Sequence, residues 1–130
     1  MEQTNNISNR LTDYQLLGAF INAFEQGSSY WCSISQKSLA ACRETYKTEE
    51  KPCASEYVWE AILAGESVTF YDVEDPSDTW VLTLEKVKEG TEKFAKEHPQ
   101  HYADALTEQG DATTDDVWFQ MCLLGELVFG

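Results

Sequence analysis

The sequence predicts an α+β fold: a single domain, mostly helical with four to five helices, and one β-hairpin. Two observations carry that expectation. Through most of the chain the apolar residues recur at helical spacing, as in Leu16, Leu17, Phe20, Ile21 and Phe24. The period then changes over residues 67–84, where two β-branched and aromatic runs, SVTFYDV and TWVLTL, flank the proline-containing turn EDPSD.

Taken in order, residues 1–10 read as a flexible polar lead and residues 11–130 as one acidic α+β domain. Thr12 is the expected N-cap of the first helix, with Gln15 where a capping box wants Glu or Gln. Gly27 is expected to close that helix. The aromatic stretch SSYWCSISQ, residues 28–36, is open to a strand, a turn or the start of the next helix. Residues 38–46 read as helix, followed by the charged loop KTEEKP ahead of a helix-breaking proline. Ser55 is the expected cap of a short helix with Val58, Trp59, Ile62 and Leu63 on one face, ending at Gly65. In the hairpin, alternation alone leaves open which side faces inward. Thr83 is expected to cap the helix bearing Leu84, Val87 and Phe94, weakened slightly at Gly90 and ended or kinked at Pro99. Tyr102, Ala105 and Leu106 predict a further short helix that stops at Gly110. Thr113 or Thr114 is expected to cap the last helix, with Asp115 and Asp116 at the favourable end of its dipole. Its apolar positions are Val117, Trp118, Met121, Cys122 and Leu124, and Gly125 releases a short apolar tail.

Charge is the strongest signal. The 130 residues carry 23 acidic and 9 basic side chains, for a net charge of −14. Residues 52–85 hold eight carboxylates and residues 97–130 seven more, with no Lys or Arg in either stretch. Such a surface repels nucleic-acid phosphates and anionic membranes and is steered toward basic partners. The plainer reading of the same charge is solubility. No apolar run approaches the roughly 18 residues that span a bilayer. The start of the chain lacks the basic and then apolar pattern of a signal peptide, so the expected location is the cytoplasm.

Catalytic and metal chemistry find little support. Cys32, Cys42 and Cys53 lie too far apart for paired zinc ligands, and Cys122 falls on an apolar face. Reduced thiols are expected. Cys32, between Trp31 and Ser33, is the one candidate nucleophile, with His98 or His101 as its base, but packing is by far the better explanation of it. The carboxylates Asp72, Glu74, Asp75 and Asp78 superficially suggest a calcium loop, yet they lack the central glycine and closing glutamate of an EF-hand. The aromatics Tyr30, Trp31, Trp59, Phe70, Tyr71, Trp80 and Trp118 lie in segments without positive charge, unlike base-stacking platforms. They read as core, with one or two exposed as interface anchors. Neither an enzyme, a cofactor nor a metal site is expected.

Three segments carry a resemblance: EQGSSYWCSI, FYDVEDPSDTWVLTLEKVKEG and the ending DDVWFQMCLLGELVFG. They are similar to a group of small acidic proteins encoded by bacteriophages, prophages and other mobile elements. The resemblance brings no functional residues with it. It implies a setting, the infected bacterial cell, in which small phage proteins bind and block host machines. Charge and resemblance together lead to the expectation of an inhibitor of a basic, nucleic-acid-binding host defence complex, of anti-CRISPR or anti-restriction type, acting by DNA mimicry. The expected contact residues are Asp72, Glu74, Asp75 and Asp78, with Asp111, Asp115 and Asp116 as a second cluster. The alternative is a phage housekeeping or structural factor that self-associates through its apolar GELVFG ending, its acidity serving solubility alone.

Overall fold

The computed structural model describes residues 10–130; the expected polar lead, Arg10 apart, lies outside them. Among the described residues there are six α-helices and a three-stranded antiparallel sheet. Helix α1 (Asp13–Asn22) begins at Thr12, whose hydroxyl accepts from the Gln15 amide while the Gln15 side chain accepts from the Thr12 amide. It does not stop at a left-handed glycine. The chain continues as a π-helical turn, Ala23–Gly27, capped by Ser28.

Residues left open in the sequence form β1 (Cys32–Ile34), so the expected hairpin is extended by a third strand. Helices α2 (Gln36–Tyr46) and α3 (Ala54–Leu63) follow. Helix α3 starts two residues earlier than its sequence suggests, because Cys53 is the N-cap, its amide donating to Glu56. Ser55 lies inside the helix, and its hydroxyl donates to Glu25. Leu63, expected on the apolar face, is exposed, while Tyr57 and Ala61 are buried in its place. Gly65 ends the helix with φ +99°, a conformation open to glycine and costly for other residues.

Strands β2 (Val68–Asp72) and β3 (Thr79–Leu82) make the hairpin, and β2 is central in the order β1-β2-β3. The register pairs Ile34 with Phe70, Phe70 with Trp80, and Val68 with Leu82. That settles the facing: Val68, Phe70 and Leu82 point into the core. Thr83 then caps α4 (Leu84–Glu97) as expected, and Pro99 opens α5 (Pro99–Leu106) at its first position, where its missing N–H costs nothing. Glu108 takes the left-handed conformation (φ +59°) after α5, a role expected of Gly110.

Helix α6 (Ala112–Leu123) is the centre of the molecule. Its N-cap is Asp111, which accepts from the Thr114 amide, so Thr114 is the capping partner rather than the cap. From Thr114 to Leu123 every residue but Asp115 is buried. A helix covered on all sides needs no single apolar stripe. The core cluster joins α6 to the sheet and to α1, α3 and α4 through an aromatic network. Phe119 lies against Phe20, Phe70 and Trp31. Helices α4 and α6 meet at Gly90, where a β-carbon would sit 2.3 Å from the Cys122 Cα. The glycine that mildly weakens one helix is what lets two helices touch. Among the described residues no helix is long and apolar enough to cross a membrane.

Candidate functional site: an acidic hairpin and a buried carboxylate

The link between β2 and β3 is a compact double turn. The Asp75 amide donates to the Asp72 carbonyl (3.2 Å), the Asp78 amide to the Asp75 carbonyl (2.8 Å), and the Asp72 amide to the Asp78 carbonyl (3.0 Å). Two side chains brace it. Asp72 accepts from the Glu74 amide at 2.8 Å, and Asp75 accepts from the Ser77 amide and hydroxyl at 3.3 and 2.6 Å. These are the local aspartate bonds that shape turns. Among the described residues no hydrogen bond engages the carboxylates of Glu74 and Asp78, which stand exposed at the tip. Val73, just past the end of β2, and Val81, inside β3 opposite Thr69, are also exposed.

Little positive charge meets these acids. One ion pair occurs among the described residues, Lys51 to Glu60 at 3.2 Å, between α3 and the loop before it. A lysine does reach the sheet edge, but its Nζ donates to the Val81 carbonyl at 2.6 Å: Lys86 blunts the outer strand rather than pairing with a carboxylate.

The second acidic cluster divides three ways. Asp111 is exposed and caps α6, and the Thr114 amide it accepts from holds its carboxyl below the usual range. Asp115 is half-buried and accepts from the Asn22 side chain at 3.0 Å; desolvation raises its pKa. Asp116, expected on the surface, is 7% exposed and belongs to the core. Its Oδ1 accepts from the Ser28 hydroxyl (2.7 Å) and the Trp31 indole (2.8 Å). Its Oδ2 accepts from the Tyr30 hydroxyl (2.7 Å) and the Gln120 amide (3.1 Å). Four donors replace water, which is how a carboxylate survives burial. Gln120 extends the network to the tail, accepting from the amides of Val128 and Phe129 and donating to the Phe129 carbonyl. Phe129 itself stacks on Trp31 at 4.8 Å.

Desolvation, followed by the bond to Asp116, pushes the Tyr30 hydroxyl up to about 12. Since the folded value lies above the unfolded one of about 10, its contribution to stability is complete below the unfolded value and is lost as pH rises through the folded one. Carbon-13 labelled tyrosine should show Tyr30 still a phenol at about pH 11. A phenolate signal appearing below about pH 10 contradicts the bond to Asp116.

The candidate nucleophile is inert by the same physics. Cys32 is buried, its thiol donates to the Ser28 carbonyl at 3.6 Å, and desolvation with Asp116 and Asp72 nearby raises its pKa far from the thiolate range. His101 meets Thr114 at 3.1 Å and His98 packs near Phe94. All four cysteines are free, and no cluster of metal-ligating side chains occurs among the described residues.

Of the aromatics, Trp31, Trp59, Phe70 and Trp118 are core, whereas Tyr30 is exposed. Tyr14, which periodicity did not single out, is the most exposed large hydrophobic side chain among the described residues, at 77%. No family model, curated protein or solved structure matches this chain.

Proposed function

We propose that this is a phage-type interaction protein. It docks its acidic hairpin on the basic, nucleic-acid-binding surface of a host defence complex, of anti-CRISPR or anti-restriction type, in the bacterial cytoplasm. The observation that carries the reading is an excess of carboxylates left unneutralised, with one ion pair among the described residues against a net charge of −14. Glu74 and Asp78 project from a turn already braced by Asp72 and Asp75, so little conformational freedom is lost on contact. Val73, next to Glu74 in the chain, supplies exposed apolar surface beside the turn for an interface. Steering by the whole field raises the rate of encounter, and it falls with salt.

The test uses the two acids whose side chains the turn does not need. Glu74→Lys combined with Asp78→Lys should weaken inhibition of the target at least about tenfold and reduce its salt dependence, as loss of rim charges does. Inhibition equal to that of the parent protein would sink the proposal. Self-association is the second reading, and Leu127 and Val128 favour it, at 47% and 57% exposed. Phe129, in contrast, is already packed within its own chain.

A further inference from the structure

Gly18 lies in the middle of α1, where glycine is a poor helix former. A β-carbon there would meet no atom within 4 Å, so packing does not require the glycine as it does at Gly90. The missing side chain instead opens a cleft of about 230 Å³ between α1, the end of α5 and the start of α6. That volume is below the range of pockets for drug-sized ligands, roughly 300–1,000 Å³, and suits a single side chain.

The lining has a distinct chemistry. Phe94 and Trp118, both buried, form an apolar floor. Glu108 and Asp115 flank it, and among the described residues each accepts from one neutral side-chain amide: Gln15 Nε2 at 3.4 Å for Glu108 and Asn22 Nδ2 at 3.0 Å for Asp115. The exposed ring of Tyr14 stands at the opening. Among the described residues, no Lys or Arg lines the cleft. An apolar floor accommodates an aliphatic stem. Two carboxylates on separate elements ask for several donors in one plane, and an exposed aromatic face attracts a flat cation. A guanidinium meets all three conditions, whereas an ammonium is a point charge with fewer, undirected donors.

We infer that this cleft receives an arginine side chain of the basic partner. The inference rests on the docking proposed above and adds a second contact to it, separate from the hairpin. The probe is acetyl-arginine amide, titrated against the nitrogen-15 labelled full chain, with the neutral isostere acetyl-citrulline amide alongside. Saturable shifts are expected at the amides of Gln15, Gly18 and Asn22 with the arginine compound, and binding at least about tenfold weaker with citrulline. Gly18→Leu fills the cleft from within α1 and should abolish the shifts while melting no lower than the parent. The hairpin variant Glu74→Lys with Asp78→Lys should keep them, so a failed hairpin and a failed cleft are read apart. The inference is overturned if the parent shows no saturable shift, if citrulline binds equally well, or if folded Gly18→Leu still binds. It is also overturned if the hairpin variant loses the shifts.

Discussion

Asp116→Ala should destabilise the fold by about 3–5 kcal/mol, because it strands several buried donors at once. Ser28, Trp31 and Gln120 are each buried, and each points a hydrogen at this carboxylate. Tyr30 can turn its hydroxyl to water, but the other three cannot without moving the β1 entry or α6. Gln120 also holds the backbone of Val128 and Phe129, so the tail should loosen in the same variant. Asp116→Asn keeps one acceptor oxygen and should lose less. Urea unfolding measures both, and a loss below about 1 kcal/mol for the alanine variant would contradict a structural role. A partner contact at Asp116, expected from the sequence, predicts the reverse pattern: near-normal stability with weakened docking.

Gly90→Ala is the second large effect, and its sign is the informative part. Helix propensity alone favours the change by about 1 kcal/mol. The added methyl, however, would sit 2.3 Å from Cys122 Cα, 2.5 Å from its nitrogen and 2.7 Å from the Met121 carbonyl carbon. All three are backbone atoms of the central helix and cannot swing aside. The expected result is a loss of about 3 kcal/mol, the upper end of ordinary overpacking. Gly18→Ala is the matched control, in the same kind of helix interior but facing open space, and should gain up to about 1 kcal/mol. A gain at Gly90 would mean that α4 and α6 do not cross there.

These two positions also mark what was legible in the sequence. The helices announced themselves through periodicity and caps, and Thr12, Thr83 and Gly65 act as their residue types suggest. The hairpin was clear from the change of period. Strand β1 was not, because three residues give too short a pattern to tell strand from turn. Caps went astray where two polar residues competed: Asp111 took the place of Thr114, and Ser55 turned to Glu25 inside α3.

The candidate site divides along the same line. Charge density around Glu74 and Asp78 is a property of local sequence, and those acids stand exposed in a turn as expected. Asp115 and Asp116 look equivalent in a string of letters, yet successive helical residues point about 100° apart. One faces the cleft and the other the core. That α6 is covered all round could not be read from its own residues, since its cover comes from α1, α4 and the sheet. Gly18 and Tyr14 carried a signal that went unused: a glycine inside an otherwise regular amphipathic helix, one turn after an aromatic.

The central claim, that exposed carboxylates dock where nucleic acid otherwise binds, is tested most directly by competition. The tagged full chain is incubated with lysate from bacteria carrying CRISPR and restriction systems, and duplex DNA is titrated in at low and at high salt. A retained nucleic-acid-binding complex that is released both by DNA and by salt is the expected result. Recovery of no partner, or of one that neither DNA nor salt displaces, would contradict the claim.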